Sequence, residues 1–166
     1  MKRVLVTDGH SRASTQIIRS LGRLGLEVFA SEKFKLNPSF FSRYVKGTFV
    51  YPDPLNEEKF IESISKFCIT NEIDVIFPVV DECLLALSKN RDKLQGVVLP
   101  YTSYKNLLHF RDKGKTMKLC NALQLPHPKT YFLSDSGPAN LTDSIIFPVI
   151  IKPCVGSGSR GVTLVQ

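Results

Sequence analysis

Over roughly its first 103 residues the chain alternates between apolar runs of strand and helix period, and no other feature narrows the fold as much. "KRVLVT" is a short continuous apolar run, the kind that is buried on both faces of a parallel sheet. "STQIIRSLGRLG" follows, with Ile17, Ile18, Leu21 and Leu24 on one helical face and Gly25 to end it. "LEVFAS" is a second strand, so the chain opens with a right-handed strand, helix, strand crossover. The mixed segment "EKFKLNPSFFSRYVKGTFVYPDP" reads as a connection with a short strand near Phe49. Phe60, Ile61, Ile64, Phe67 and Cys68 then recur at helical spacing, and "DVIFPVV" is an apolar strand. "DECLLALSKNRDKL" is a further amphipathic helix with Asp81 as its expected N-cap, and "GVVLP" a further short strand. The pattern predicts an open, mainly parallel, doubly wound α/β sheet.

A hydrophobic fraction of 43% with 22% charged residues gives enough apolar material for a folded core. No apolar run reaches the roughly 18 residues of a membrane span, and "MKRVLVTDG" lacks a signal peptide's apolar region, so the expectation is a cytoplasmic protein without a membrane partner. Cys68, Cys83, Cys120 and Cys154 fall in no metal-binding or redox spacing, and are expected to be reduced thiols packed as small apolar residues. The net charge of +7 raises nucleic acid as a partner. Only Lys105, Arg111, Lys113, Lys115 and Lys118 cluster, however, with few aromatics among them to stack on bases, which argues against nucleic acid.

Beyond Pro100 the pattern changes to two helices, "TSYKNLLHF" and "DKGKTMKLCNALQ", a proline-stiffened "LPHPKTYFL", a polar loop, and then "FPVIIKPCVGSGSRGVTLVQ". Gly156, Gly158 and Gly161 spell G-x-G-x-x-G. A dinucleotide site would need that loop to follow the first strand and open a helix. Here β-branched residues follow it, so it is read as the tip of a hairpin. Such a tip can fold over the phosphates of a nucleotide, with Lys152 as a fixed cation, or it can be a surface hairpin with a solvated lysine.

The order of these parts is informative. The pair Asp112 and Lys113, the helix ending in a proline-containing strand, and the aromatic-Pro-Val-Ile-Ile-Lys-Pro run with its glycine loop resemble the start of an ATP-grasp domain. The alternating region before them resembles the pre-ATP-grasp, Rossmann-like domain of the same superfamily. This resemblance implies two domains, residues 1–105 and residues 106–166, the second an incomplete α+β ATP-grasp lobe. It implies that ATP phosphates are contacted by Lys113, Lys152, Gly156, Ser157, Gly158, Ser159 and Gly161. It also implies activation of a carboxylate by ATP and Mg2+ to an acylphosphate, which an amine then attacks. The adenine-binding linker, the second lobe and the magnesium ligands of the superfamily follow the glycine loop. The chain is therefore expected to be a truncated enzyme, inactive alone and without metal ligands of its own.

"VTDGHSRAS", "SRYV" and "PVVDE" resemble the carboxylate–amine ligase branch more than the large subunit of carbamoyl phosphate synthase, which stays as the alternative. Ligands of open α/β sheets gather at the carboxyl ends of the strands. Asp8, His10, Arg12, Asp81 and Glu82 are thus the candidate contacts to small carboxylate and amine substrates. Asp81 as a plain cap, and Asp8 and His10 as plain turn residues, are the structural counterparts of that reading. The resemblance also admits a homodimer. Cys154, beside the loop, has no histidine near it in sequence to activate it, so it is expected to pack and not to act as a nucleophile. A non-catalytic Rossmann-type binding module, which would hold its ligand at the first βα turn, is the reading from another class.

Overall fold

The computed structural model describes residues 2–133, 145–156 and 158–166. The chain divides into two compact units, residues 1–104 and 105–166. The polar loop "SDSGPANLTDS" and Ser157 lie outside the described residues.

The first unit is a parallel sheet with helices on both faces. Its strands are β1 (Arg3–Val6), β2 (Glu27–Glu32), β3 (Val45–Val50) and β4 (Val75–Phe77), in the order β3-β2-β1-β4 and all parallel. The helices are α1 (Arg12–Arg23), α2 (Glu57–Thr70) and α3 (Asp81–Lys89). The strand pleat sorts the apolar residues. Val4, Val6, Val28 and Ala30 pack with Ile18 of α1, while Leu5, Phe29 and Ile76 pack with Phe60, Ile61 and Ile64 of α2 and Leu87 of α3. Phe60, Ile18, Leu5 and Leu87 are fully buried, each contributing about 1.5–3 kcal/mol relative to exposure. Phe67 joins the second layer to the sheet edge, stacked on Phe49 at 4.3 Å and edge-on to Phe29 at 5.9 Å. The open parallel sheet expected from the alternation is the fold observed.

Two details differ from the sequence reading. "GVVLP" does not become a strand: it contributes one parallel bridge, Val98 to Val75, because Pro100 and the Gly96 turn leave no length for a ladder. Asp81 is not the N-cap of α3 either. That position belongs to Val80, whose own side chain can cap nothing, and Asp81 begins the helix proper.

In the second unit, α4 (Tyr104–Arg111), whose first residue belongs to the preceding unit, is followed by α5 (Lys113–Ala122), with β5 (Val149–Ile151) and β6 (Thr163–Val165) after them. Asp112 caps α5, its carboxylate accepting the Lys115 N–H at 3.0 Å. β5 and β6 pair antiparallel, so the glycine loop is a hairpin tip, as its sequence predicts. None of the described residues of this unit is buried, and Phe110, Leu125, Ile150 and Leu164 are all more than half exposed. Cys154 is exposed and Cys120 half-buried, so the expectation that all the cysteines pack holds only for Cys68 and Cys83. A two-stranded hairpin has too little area to bury its own side chains.

Candidate functional site

The strand order makes β1 the centre of the first unit. The chain leaves it toward β2 and β3 on one side, then crosses to β4 on the other. The carboxyl ends of β1 and β4 therefore flank the switch point, where open α/β sheets form their crevice. Two loops meet there, Thr7–Ser11 after β1 and Pro78–Val80 after β4.

Asp8 spans this crevice. Its backbone has a φ of 60°, a left-handed conformation that Asp tolerates better than most residues. Its carboxylate accepts five hydrogen bonds: from Thr7 Oγ1 at 2.5 Å, the N–H groups of Val79 and Val80 at 3.0 and 2.9 Å, Tyr51 OH at 3.1 Å and Cys83 Sγ at 3.1 Å. Ser14 Oγ, within α1, donates to the carbonyls of Thr7 and Asp8 and holds the same turn from below. Asp8 is only 4% exposed. Burial, and after it the neighbouring Cys83 and the charge of Asp8, push the Tyr51 phenol far above its ordinary value; burial and Asp8 do the same to the Cys83 thiol. Both therefore stay protonated as donors to the carboxylate.

The next residue faces outward. His10 is half-exposed, and its Nδ1 lies 2.5 Å from Oε2 of Glu32, whose side chain is 1% exposed at the end of β2. The same carboxylate accepts the His10 N–H at 2.9 Å and the Lys33 N–H at 2.7 Å. Lys33 turns its ammonium to Asp53 at 2.9 Å. Its pKa is raised first by that bond, and also by the charges of Glu32 and Glu82, which lie within electrostatic range. Arg12 and Glu82 are exposed, and Asp81 is half-buried. The predicted residues His10, Arg12, Asp81 and Glu82 thus lie at the carboxyl edge of one sheet, while Asp8 is committed to internal partners.

Glu32, Tyr51 and Cys83 escaped the sequence reading. Glu32 had a signal, an acidic residue closing the apolar run "LEVFASE". Tyr51 and Cys83 had none, since their partner is 43 and 75 residues away.

The first βα turn has little left for a nucleotide. The N–H groups of Gly9, His10, Ser11 and Ala13 go to Ser31 O, Glu32, Asp8 O and Ser11 Oγ. This opposes a Rossmann-type dinucleotide site there, which needs such groups for pyrophosphate.

In the second unit Lys113 meets the glycine loop. Its N–H bonds to Cys154 O at 2.8 Å and its ammonium to Gly156 O at 2.7 Å. Gly158 and Gly161 adopt φ of 63° and 71°, and the space around Gly158 is open. Ser159 shares the left-handed region at 59°. Lys152, just after β5, is exposed. Among the described residues no group of three or more His, Cys, Asp or Glu is arranged to hold a metal ion, and no helix is long and apolar enough to cross a membrane.

No family model matches the chain. It is 26% identical over 160 residues to the formate-dependent phosphoribosylglycinamide formyltransferase of Acinetobacter baumannii, a match covering 95% of this chain and 38% of that protein. Among solved structures it superposes on the L-amino acid ligase of Bacillus licheniformis with a TM-score of 0.70 at 20% identity, covering all of this chain and 39% of the ligase. The biotin carboxylase domain of Hydrogenobacter thermophilus 2-oxoglutarate carboxylase, in complex with MgADP, gives 0.72 at 18% identity over 98% of this chain and 37% of its own. The N5-carboxyaminoimidazole ribonucleotide synthetase of Thermotoga maritima gives 0.68 at 16% identity over all of this chain and 41% of its own. The chain therefore spans about two-fifths of the length of the proteins it matches. All of them are ATP-grasp enzymes, and over the part that it matches, the fold of this chain is the ATP-grasp fold with its Rossmann-like pre-ATP-grasp region.

Proposed function

We propose that this chain serves an ATP-dependent ligase that activates a carboxylate as an acylphosphate for attack by an amine. The first unit is assigned to the pre-ATP-grasp domain and substrate side, and the second to the start of the ATP-binding lobe. The observation that carries the reading is the contact between Lys113 and Gly156, 2.7 Å across 43 residues of sequence. It brings a cation at the start of a helix onto a glycine hairpin tip whose backbone is free of Cβ atoms at three positions.

In this role Lys113 exchanges the Gly156 carbonyl for a phosphate oxygen of ATP. Lys152, Gly156, Ser157, Gly158, Ser159 and Gly161 complete the phosphate side, the lysines supplying charge and the loop its N–H groups. ATP supplies the phosphoryl group that turns the carboxylate into an acylphosphate. The protein's part is positioning and charge stabilisation, with no covalent nucleophile required. Mg2+, which accompanies ADP in the Hydrogenobacter domain, would come with the nucleotide and offset its phosphate charge. Arg12, Asp81 and Glu82 remain with the small carboxylate and amine substrates at the carboxyl edge. The free cysteines suit a reducing cytoplasm. A homodimer belongs to the same reading by analogy with the Hydrogenobacter biotin carboxylase domain, a dimer.

The test is an NMR titration of the chain with Mg-ATP. Saturable shifts at Lys113 and at the loop from Gly156 to Gly161 are expected. Lys113→Ala and Lys152→Ala should each weaken binding about tenfold, the loss of one charge-assisted contact. Shifts that do not saturate, or that both variants leave unchanged, would overturn the assignment of the phosphate site.

A further inference from the structure

We propose that His10, held by Glu32, is the acceptor for the ammonium group of the amine substrate and takes its proton. The inference deepens the ligase reading and rests on it. Glu32 is a carboxylate buried to 1% exposure at the end of β2, and its donors are two backbone N–H groups and His10 Nδ1. With Nδ1–H committed to Glu32, the neutral ring presents the lone pair of Nε2 on a half-exposed side chain. A carboxylate that fixes the tautomer and orientation of an imidazole is the arrangement by which proteins hold a general base.

The surrounding charges favour a cationic ligand. In a chain of net charge +7, this edge gathers Glu32, Asp53, Asp81 and Glu82 beside buried Asp8, and they outnumber its cations Arg12 and Lys33. The groups facing Glu32 are Lys33, already held by Asp53, and Tyr51, whose phenol stays protonated. A protonated amine therefore meets a negative edge and an acceptor nitrogen.

The step balances without a further reagent. The ammonium N–H passes its proton to Nε2, and the freed lone pair bonds to the acyl carbon of the acylphosphate. The C–O bond to phosphate breaks, and phosphate leaves with that electron pair and takes up the second N–H proton, so that the neutral amide remains. The imidazolium, paired with Glu32, then releases its proton to solvent.

The experiment is long-range 1H–15N NMR of the imidazoles in the 166-residue chain, with glycinamide as the amine probe and half-buried His127, whose Nδ1 faces Leu125 O, as internal control. Neutral His10 is expected as the Nδ1–H tautomer, and glycinamide is expected to shift Nε2 saturably. His10→Gln keeps the backbone bonds to Glu32 and should weaken the probe's effect on the Gly9, Ser11 and α3 amides about tenfold. Glu32→Gln should mix the tautomers; where its melting curve shows loss of fold, His10→Gln alone decides. An Nε2–H tautomer, or glycinamide shifts equal at His10 and His127, would overturn the proposal. So would amide shifts that His10→Gln leaves unchanged. None of these touches the Mg-ATP titration, so failure here and failure of the phosphate site are read separately.

Discussion

Across 72 residues of sequence, the Asp8 carboxylate accepts the backbone N–H of Val80 at 2.9 Å. The bond closes the switch-point crevice with the chain's own anion. It also caps a helix whose N-cap residue is a valine, and so sets where Asp81 and Glu82 stand at the mouth.

Asp8→Asn should cost about 2–4 kcal/mol of stability, because a buried site built from five donors to a carboxylate is left facing an amide with one acceptor oxygen. Asn tolerates the left-handed backbone as well as Asp does, so the loss isolates the carboxylate. Urea unfolding followed by circular dichroism measures it; a loss under 1 kcal/mol would show that the carboxylate is not needed there.

Gly22→Ala decides between two opposed effects. Helix propensity favours the change by about 1 kcal/mol. A Cβ at residue 22 of α1 would, however, lie 2.6–2.8 Å from Cβ, Cγ and Cδ1 of Tyr44, atoms near the backbone that cannot swing aside. Overpacking of about 1–3 kcal/mol wins, and the variant should melt below the wild type.

Stability should fall with acid through the amino edge of the sheet. Glu27 is held below its ordinary 4.5 first by Lys46 and then by Arg3, and Asp74 below its ordinary 3.8 first by Lys2 and then by the Arg3 N–H. Depressed carboxylates contribute stability that is fully present above those ordinary values and lost as pH falls through the lower folded ones. The melting temperature should be level from these groups above about pH 5 and decline below about pH 4.5, less steeply in high salt and in Glu27→Gln. A decline unaffected by both would place the acid sensitivity elsewhere.

Alkylation should rank the thiols by position. Cys154 is exposed and should react within minutes, Cys120 more slowly. Cys68, whose thiol burial pushes up to about 12, and fully buried Cys83 should react only on unfolding. Iodoacetamide labelling with peptide mass spectrometry gives the order; early modification of Cys83 would mean that the crevice opens in the native state.

The amino-acid order alone carried the open parallel sheet, the helices from "STQIIRSLGRLG" through "DKGKTMKLCNALQ" and the glycine hairpin. Each is written in spacing over fewer than twenty residues, where side-chain periodicity maps directly onto a buried face. It also carried the position of His10, Arg12, Asp81 and Glu82 at the carboxyl ends of strands, because strand ends are local signals. Which of these face outward was decided by tertiary structure. Asp8 and His10 are two residues apart and look alike as turn residues. The pairing of β1 with both β2 and β4 sends the carboxylate inward to Val79, Val80, Tyr51 and Cys83, and the imidazole outward onto Glu32. A hydrogen bond between groups 22 to 75 residues apart depends on strand order and register, and no local pattern encodes those.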